Sequence, residues 1–580
     1  MAQDRSAERP WLAAYPPGIP ADIDTDSVGT VVDLFDRSVL RFAERPAITC
    51  FGASLRYREV GAAAQAVAAW LASNGYGKAS RGSEAGVDGI GDRVAVMMPN
   101  VPACPVALLG VLVAGCTVVN VNPLYTPREL AAQINDSGAR VLFVLENFCH
   151  TVEQALPQMP SLERIVVAGP GDGLGLKGRI VDLVSRRVKR AVPPYALPAG
   201  RTQRFEAVVR AGRGLKRPSV LIEPGDVAFL QYTGGTTGIA KAAMLTHRNI
   251  MANVEQSRVW FRGPLGGGDG ERQVAVTALP LYHIFALTAC FLFFFRLGGC
   301  CLLIPNPRDL DGFVKTLSRT RFTNFAGVNT LFNALNNHPK IGTVDFSQVE
   351  YVVGGGMAVQ SAVAARWKAI TGQTILEGYG LSETSPVVSV NPLGLAEWTG
   401  TIGYPLPSTE VTIRAEDGTV LPFGVPGELC VRGPQVMAGY WNRPEETRAA
   451  MTVDGFFRTG DVAVMTPDGQ IRIVDRMKDM ILVSGFNVYP NEVEDVLATH
   501  PAVLECAVVG APCGDSGEMV VAHVVLRDPS VEPDALRAHA RASLTGYKVP
   551  RRIVIQDSLP KTNVGKVLRR ALREGGPAAG

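Results

Sequence analysis

The chain has 580 residues, of which 47% are hydrophobic and 19% charged, so a soluble globular protein with at least two domains is expected. Its 57 basic and 54 acidic residues give a net charge of +3, which excludes a strong basic bias towards nucleic acid and favours small molecules as partners. The 10 cysteines are scattered without a Cys-x-x-Cys pair, so we expect reduced thiols rather than a zinc site or disulfides.

The N-terminus, MAQDRSAERPWLAAYPPG, carries acids and prolines where a signal peptide would need an apolar run, so a cytoplasmic protein is expected. Further along, α/β units are predicted where short β-rich runs such as DRVAVMMPN and ARVLFVLE alternate with alanine-rich stretches such as REVGAAAQAVAAWLASNG. This alternation is typical of largely parallel sheets flanked by helices.

Two segments in the first half resemble surface excursions. Residues 77–91 are rich in small and polar residues and predict a flexible loop. Residues 178–194 place Ile180, Val184 and Val188 at helical spacing among arginines and lysines. Such a pattern indicates either a solvated surface helix or a helix that lies on a membrane surface.

The next segment, QYTGGTTGIAKAAM, follows a predicted strand and has the composition of a phosphate-binding loop. Glycines 234, 235 and 238 allow a close approach of the backbone to an oxyanion, threonines 233, 236 and 237 add hydroxyl donors, and Lys241 adds a positive charge. Ile239 and Ala240 separate Gly238 from Lys241, so the segment is not a Walker A loop.

The most apolar stretch, residues 286–305, is interrupted by Arg296, Gly298 and Gly299. A buried helix followed by a strand is therefore predicted rather than a membrane span. Later, LEGYGLSETSP places Tyr379 between Gly378 and Gly380, close before Glu383. This arrangement could stack a nucleobase and bring a carboxylate to Mg²⁺; the alternative is a loop capped by Ser382 or Thr384.

Near residue 400 the pattern changes to short strands and turns, which predicts a β-rich subdomain. There, Asp461 in FRTGDVAVM could accept hydrogen bonds from a ribose. The segment VDRMKDMILVSGFNVYPNEVE combines Asp475, Arg476, Lys478 and Gly485. We place a domain boundary at Asp475, because a small α+β unit with strands in ECAVVGAP and VVAHVVLRD follows.

In the tail, LPKTNVGKVLRR, Lys566 follows a glycine inside a basic cluster. Most such lysines are only solvated. Lys566 could be catalytic if its domain moved it onto a substrate.

Together and in this order, these segments resemble the adenylate-forming superfamily of acyl-CoA synthetases, luciferases and peptide-synthetase adenylation domains. Further segments, among them ALPLYHIFALT, GVNTLFNAL, GGGMAVQ, PQVMAGYW and LTGYKVP, are similar to those of bacterial long-chain fatty acid:CoA ligases, and the likeness runs over residues 15–573. The resemblance implies an α/β protein. Its large N-terminal domain (1–475) would contain two α/β sheets and a β-rich subdomain, and its small mobile α+β domain (476–580) would carry a catalytic lysine.

The resemblance also implies roles for the matching residues. Residues 233–241 would hold the phosphates of ATP, and Glu383 with Thr233 would bind Mg²⁺. Tyr379 would lie against adenine, with Gly354, Gly355 and Gly356 nearby, and Asp461 and Arg476 would hold the ribose. Further cofactor-binding residues would be Gly378, Gly380, Thr384 and Lys478. Asp475 would be the hinge, and Gly485 would line the coenzyme A channel after a domain rotation. His283 would lie beside the reacting carboxylate.

The implied reaction has two steps. A fatty acid carboxylate attacks the α-phosphorus of ATP, and the thiol of CoA then displaces AMP from the acyl-adenylate. Lys241, Lys566 and Mg²⁺ would offset the charge that develops on the phosphates. The implied partners are a long-chain fatty acid, ATP and CoA, without nucleic acid; peripheral association with the cytoplasmic face of the inner membrane and a homodimer are further expectations.

Alternatives and departures from the family remain. A ligase for aryl or shorter acids, an acyl-AMP ligase that serves a carrier protein, and a catalytically silent binding protein are competing interpretations. We expect no carrier domain after Lys566, and intact Lys241, Glu383, Asp461 and Lys566 favour an enzyme. Ala242 stands where related ligases usually have glycine, and its methyl group would crowd the loop if its φ were positive. Met477 occupies a position that is often basic.

Overall fold

The computed structural model describes residues 9–78, 89–233, 240–263, 273–514, 517–562 and 565–574. They form several mixed sheets with flanking helices, in a large N-terminal part and a small C-terminal part. The predicted fold class is confirmed. The predicted loop at 77–91 falls mostly on residues 79–88, which lie outside the described residues.

The strands are numbered in chain order, with these bounds: β1 Pro46–Cys50, β2 Ala53–Arg56, β3 Arg93–Met97, β4 Thr117–Asn120, β5 Val141–Leu145, β6 Arg164–Ala168, β7 Thr202–Arg204, β8 Val227–Tyr232, β9 Ala242–Thr246, β10 Val274–Thr277, β11 Cys300–Leu303, β12 Asn324–Gly327, β13 Tyr351–Gly355, β14 Ile375–Gly380, β15 Val387–Val390, β16 Tyr404–Pro405, β17 Glu410–Arg414, β18 Gly427–Arg432, β19 Gly439–Tyr440, β20 Phe457–Met465, β21 Ile471–Arg476, β22 Ile481–Val483, β23 Phe486–Val488, β24 Val503–Cys513, β25 Gly517–Leu526 and β26 Arg552–Ile555.

The α-helices have these bounds: α1 Val31–Arg41, α2 Tyr57–Ser73, α3 Ala103–Val113, α4 Pro127–Ser137, α5 Cys149–Ala155, α6 Gly175–Leu183, α7 Phe205–Arg213, α8 His247–Arg262, α9 Phe293–Leu297, α10 Leu310–Leu317, α11 Asn329–Asn336, α12 Ser361–Thr371, α13 Pro444–Ala449, α14 Pro490–Ala498, α15 Pro533–Ser543 and α16 Arg569–Glu574.

The N-terminal part contains two large sheets. An eight-stranded sheet has the order β19-β9-β8-β4-β3-β5-β6-β7, and a nine-stranded sheet has the order β16-β15-β14-β13-β12-β10-β11-β1-β2. Their central strands run parallel and are almost entirely buried, as expected for sheets covered on both faces. Helix α3 is apolar around its whole circumference and buried at every residue, which is typical of a helix enclosed in a core.

Two smaller sheets complete the molecule. The order β17-β18-β20-β21 forms the predicted β-rich subdomain, and β22 to β26 form the C-terminal sheet, which has its own apolar core. Asp475 lies near the end of β21, between these two sheets. The boundary between residues 475 and 476 stays a prediction.

The most apolar stretch folds as predicted. A π-helical segment, Ala286–Leu292, continues into α9, and β11 follows after Gly298 and Gly299. Its apolar side chains other than those of Ala289 and Pro305 are buried. Among the described residues, the helices are all too short or too polar to cross a bilayer.

Candidate active site

A cavity of about 2180 Å³ lies where the N-terminal sheets face the C-terminal unit. Many residues predicted for the site line it: Thr233, Lys241, His283, Gly355, Gly356, Gly378, Tyr379, Gly380, Glu383, Asp461, Arg476, Lys478 and Lys566. Residues far apart in the sequence are therefore brought to one place. Gly234, Gly235, Thr236, Thr237 and Gly238 lie outside the described residues.

The ends of the phosphate loop are held by the sheet. β8 and β9 pair antiparallel, and the amide of Thr233 donates to the carbonyl of Lys241 at 2.8 Å. Thr233 and Lys241, the described ends of the segment, thus lie beside each other at the cavity. Ala242, the first residue of β9, is buried in a core cluster and does not have a positive φ. Its methyl group is accommodated without the conformational strain considered above.

Three predicted residues do not line the cavity. Gly354 is buried within β13. Thr384 is also buried, and its hydroxyl donates to the carbonyl of Pro386 at 2.5 Å and accepts from the amide of Leu381 at 3.0 Å. Its observed contacts are those of the capped-loop alternative. Gly485 lies in the exposed turn between β22 and β23.

The proposed ribose site is formed by neighbouring strands. Asp461 of β20 and Arg476 of β21 are paired in register, and Nε of Arg476 lies 3.2 Å from Oδ1 of Asp461. The hydroxyl of Tyr379 donates to Oδ2 of Asp461 at 2.5 Å. The residue after Tyr379 is Gly380, and a Cβ at Gly380 would lie 1.9 Å from the carbonyl oxygen of Pro386. Glycine at this position therefore allows Tyr379 to lie close to the start of β15. The buried carboxylate of Asp461 is thereby fixed from two sides.

A second polar group connects Glu383 to Lys241. Tyr440 donates its hydroxyl to Oε1 of Glu383 at 2.8 Å, and Nζ of Lys241 lies 5.3 Å from the centre of the Tyr440 ring. Lys241 also forms an ion pair with Glu446 at 2.8 Å. The pairing of β19 with β9 brings Tyr440 next to this lysine. Burial raises the pKa of Glu383, against the opposing effect of the Tyr440 hydrogen bond.

Lys566 enters the cavity from the C-terminal unit. The hydroxyl of Thr330 donates to the carbonyl of Gly565 at 2.9 Å, and a Cβ on Gly565, whose φ is +86°, would meet that hydroxyl at 2.8 Å. Glycine before the lysine therefore permits this close approach. Burial, and then Arg476, lower the pKa of Lys566 to about 8, although Asp461 and Glu383 act in the opposite direction.

His283 lies at the cavity as a neutral imidazole. Burial, and then Lys566, lower the pKa of His283 to about 3. Its Nδ1 accepts a hydrogen bond from the amide of Phe285 at 3.3 Å, which assigns the ring proton to Nε2. His283 can therefore donate a hydrogen bond from Nε2, and it is not a cation.

One side of the cavity is apolar. Phe261, Cys290, Phe293, Phe294 and Tyr351 line it from α8, the π-helical segment, α9 and β13. The rings of Phe261 and Tyr351 are stacked with their centres 4.7 Å apart. The cavity therefore combines a polar part, with cations and carboxylates, and a space suited to a hydrocarbon group.

Comparisons with known proteins agree with this geometry. Residues 35–441 match the family described as AMP-binding enzyme, and residues 492–566 match its C-terminal domain. The chain belongs to the AMP-binding enzymes. The expected membership of the adenylate-forming superfamily is confirmed.

Similar curated proteins cover almost the whole chain. This AMP-binding enzyme is 50% identical to a long-chain-fatty-acid–CoA ligase of Yersinia pestis, over 98% of each chain. It is 49% identical to the protein of that name from Escherichia coli O6:H1, over 97% of this chain and 98% of the other. The crystal structure of the anthranilate CoA ligase AuaEII with anthranoyl-AMP shares the fold, with a TM-score of 0.80 at 24% identity, over 96% of this chain and 98% of that one.

The C-terminal unit of this AMP-binding enzyme is docked on α12. The carboxylate of Asp495 in α14 accepts hydrogen bonds from the amide and hydroxyl of Ser361, at 3.0 and 2.9 Å. Ser361 is the first residue of α12, so Asp495 places negative charge at the positive end of that helix. The side-chain amide of Asn333 also donates to the carbonyl of Leu504 at 2.8 Å.

The predicted hinge residue is tied to the same unit. Oδ1 and Oδ2 of Asp475 accept from the amides of Arg476 and Asn491, each at 2.8 Å. Burial raises the pKa of Asp475 to about 6, although Arg569 opposes the shift. Arg569, three positions after Lys566, donates to both oxygens of Glu494 at 2.8 and 2.9 Å. The lysine segment is thus anchored within its own unit.

Sequence reasoning did not assign Tyr440, Glu446, Ser361, Asp495 or Arg569. Tyr440 belongs to PQVMAGYW, a segment that supported the family resemblance but received no role residue by residue. The segment around Ser361 has the ordinary composition of a helix start, and the segment around Asp495 has that of a helix face. Their roles appear only because the two helices meet.

Proposed function

We propose that this chain activates long-chain fatty acids. In the proposed reaction, a fatty acid and ATP form an acyl-adenylate and pyrophosphate, and CoA then converts the acyl-adenylate to acyl-CoA and AMP. The proposal is supported above all by one observation: Lys566, the pair Asp461 and Arg476, and Glu383 surround the polar part of a cavity that also has an apolar side. Similarity to long-chain-fatty-acid–CoA ligases over almost the whole chain supports the substrate class.

The nucleotide is held by groups that match its chemistry. Asp461 accepts hydrogen bonds from the ribose hydroxyls, and its ion pair with Arg476 orients that carboxylate. Tyr379 lies against the adenine while its hydroxyl remains on Asp461. Residues 233–241 receive the phosphates. Lys241 then exchanges its contact with Glu446 for the phosphates, because dense negative charge competes with one half-exposed carboxylate.

The residues present fit a bound Mg²⁺. Among the described residues no cluster of three or more metal-binding side chains occurs, and Mg²⁺ is commonly held by one or two carboxylates together with substrate phosphates. Glu383 supplies a buried carboxylate beside the cavity, and Thr233 supplies a hydroxyl. Together they would hold Mg²⁺, which when bound offsets negative charge on the phosphates.

In the first step, an oxygen of the fatty acid carboxylate forms a bond to the α-phosphorus, and the bond to the leaving pyrophosphate breaks. Lys566 offers a positive charge to the α-phosphate and the carboxylate inside the cavity. His283, neutral and protonated at Nε2, donates to a carboxylate oxygen and orients it.

In the second step, the sulfur of CoA forms a bond to the acyl carbonyl carbon, AMP leaves, and the thiol proton passes to solvent. For this step we propose a rotation at Asp475 that withdraws Lys566 and brings the turn at Gly485 to the cavity. The exposed position of Gly485 in the present arrangement is compatible with such a movement. The segment 1–475 would then act as one unit and 476–580 as the other.

The proposed location is the cytoplasm, with peripheral contact to the cytoplasmic face of the membrane. Self-association as a homodimer stays a prediction, which sedimentation velocity would measure.

The function is tested by AMP and pyrophosphate release across a series of acids, each with and without CoA. We expect the highest kcat/KM for long-chain fatty acids, pyrophosphate release without CoA in a single turnover, and AMP release on addition of CoA. Preference for aryl or short acids would contradict the substrate class. Binding of ATP and fatty acid without release of either product would identify a silent binding protein instead.

A further inference from the structure

A surface helix exposes its apolar side to solvent. The segment, named here the basic helix, consists of α6, the π-helical turn Val184–Val188, and Lys189 and Arg190 after it. The exposed fractions are 79% for Leu176, 62% for Ile180, 58% for Leu183 and 72% for Val188. The spacings of four and three residues keep the first three on one face, and the wider π turn brings Val188 towards the same face.

The opposite side of the basic helix is attached to the protein. Gly178 is buried against the backbone of Gly171, whose amide donates to Oδ1 of Asp182 at 2.8 Å. Arg186 forms an ion pair with the buried Glu146 at 2.7 Å. The helix therefore cannot roll over and bury its apolar side. A surface helix of a globular protein normally has the reverse orientation, with its apolar side on the core.

Positive charge surrounds this apolar side. Arg179, Arg187, Lys189 and Arg190 are exposed and form no ion pair with the described residues. Asp182, the acidic residue of the helix, is engaged with the Gly171 amide. The carbonyl of Gly52 accepts a hydrogen bond from Nζ of Lys177 at 2.7 Å, which holds the turn at Phe51 beside the basic helix. Phe51 is 41% exposed, so the apolar surface continues onto its ring.

We propose that the basic helix docks on an anionic lipid bilayer, with Leu176, Ile180, Leu183 and Val188 inserted at the level of the headgroups. An apolar strip flanked by arginine and lysine matches the boundary between acyl chains and anionic headgroups. A second copy of the chain fits less well, because two such faces would bring like charges together. The proposal gives the peripheral membrane contact a surface, and it is independent of the reaction at the cavity.

The test is co-sedimentation of the full-length protein with vesicles of phosphatidylcholine alone or with added phosphatidylglycerol. We expect binding to the anionic vesicles that weakens at high salt, because screening reduces the attraction. The triple variant Leu176→Ser, Ile180→Ser, Leu183→Ser should lower the partition coefficient about tenfold or more. The variant Arg179→Gln, Arg187→Gln, Lys189→Gln, Arg190→Gln should remove the preference for anionic lipid.

Matched controls replace exposed residues elsewhere. Leu221 and Val453 are 77% and 110% exposed, so Leu221→Ser, Val453→Ser should bind as the wild type does; Arg319→Gln, Lys340→Gln controls for loss of charge. Acyl-CoA formation in detergent should be the same for all variants, which separates this test from the proposed function. Equal binding of the helix variants and the wild type would overturn the proposal, as would the absence of vesicle binding by the wild type.

A label locates the contact directly. All cysteines other than the half-buried Cys513 are buried, so an environment-sensitive dye on Leu176→Cys in a Cys513→Ser background reports this face. Its emission should shift to shorter wavelength with anionic vesicles, while the same dye on Val453→Cys should not shift. A shift that depends on protein concentration without vesicles would indicate docking of a second copy and would contradict the proposal.

Discussion

At the scale of single residues, three titratable groups at the cavity are held away from their ordinary protonation behaviour by burial. The pKa of Lys566 is lowered to about 8, that of His283 to about 3, and that of Asp475 is raised to about 6. Perturbed groups concentrated in one cleft are typical of functional sites. Each has a separate consequence. Lys566 can lose its charge near pH 8, His283 is a neutral hydrogen-bond donor, and the burial of the Asp475 carboxylate costs stability.

Lys566→Ala should abolish formation of the acyl-adenylate but leave thioester formation from supplied acyl-adenylate nearly unchanged, because only the first step needs the charge at the α-phosphate. Pyrophosphate release and thioester formation measure the two steps separately. In the wild type, the rate of the first step should fall as pH rises through about 8, where the free enzyme's lysine loses its proton. Lys561→Ala, which removes a lysine paired with Glu505, is the control; equal loss of both steps in Lys566→Ala would refute the assignment.

The effect of Asp475→Asn on stability should depend on pH. Both carboxylate oxygens accept from backbone amides, whereas the Asn side chain can accept through one atom only, so the variant loses one of these hydrogen bonds. The pKa of Asp475 is raised in the folded state, so the stability associated with its proton is present below the unfolded pKa near 4 and is lost as pH rises through about 6. The free energy of unfolding of the variant, relative to the wild type, should therefore be about 2 to 3 kcal/mol higher at pH 7 than at pH 4.

Urea unfolding at both pH values measures this difference. Asp479→Asn is the matched control, since Asp479 is another acid of the same segment that pairs with Arg569 and Arg573. A difference between Asp475→Asn and the wild type that is the same at pH 4 and pH 7 would show that titration of this carboxyl does not affect stability.

At the scale of elements, strand pairing and helix ends position the groups. β20 and β21 pair Asp461 with Arg476, and β19 brings Tyr440 to the strand that begins after Lys241. The start of α12 receives the carboxylate of Asp495 from α14. Contacts such as that between Asp495 and α12 join the N-terminal part to the C-terminal unit through a few hydrogen bonds. Single substitutions at these contacts should therefore change the relative orientation of the two units.

Asp495→Ala should reduce the rate of adenylate formation about five- to tenfold, because removal of a carboxylate from a helix N-terminus costs about 1 kcal/mol and this contact occurs only in the docked orientation. Thioester formation from supplied acyl-adenylate should stay the same or increase. Ser361→Ala should have a smaller effect in the same direction. Glu492→Ala, on the same helix but paired with Lys548, is the control, and parallel loss of both steps in Asp495→Ala would contradict a role in docking.

At the scale of the whole molecule, the structure has the arrangement in which Lys566 reaches the cavity and Gly485 does not. In the proposed function both steps occur at this cavity. Lys566 must therefore leave the cavity after the first step, and Gly485 must reach it for the second. A cross-link between the units should therefore separate the steps, provided that it preserves the observed orientation.

The double variant Ser361→Cys, Asp495→Cys should accept a short bis-methanethiosulfonate reagent that joins the units through reducible disulfides, since Oγ of Ser361 and Oδ1 of Asp495 are 2.9 Å apart. When cross-linked, it should still form one equivalent of acyl-adenylate and release pyrophosphate, but it should not form acyl-CoA. Reduction should restore thioester formation. Each single cysteine variant treated with the reagent is a control, and normal acyl-CoA formation by the cross-linked enzyme would exclude the proposed rotation.

The order of segments along the sequence was sufficient to predict the superfamily, the mixed α/β fold and the strand that ends before Thr233. It also supplied the candidates Tyr379, Glu383, Asp461 and Lys566. These predictions depend on local composition: glycines after a strand, a carboxylate in a turn, or an apolar run interrupted by Arg296. Periodicity also predicted the helix at residues 178–194, of which the structure contains the part up to Val188.

Only the tertiary structure decided which side of that helix faces solvent, because this depends on the contacts of Gly178 and Asp182 with Gly171. It also decided that Thr384 is bound to backbone, that Ala242 fits an extended strand, and that Glu383, Tyr440 and Lys241 form one group. Sequence specifies the side chains and their local periodicity. Contacts between residues separated by tens to hundreds of positions arise from sheet order and helix packing, which local patterns do not encode.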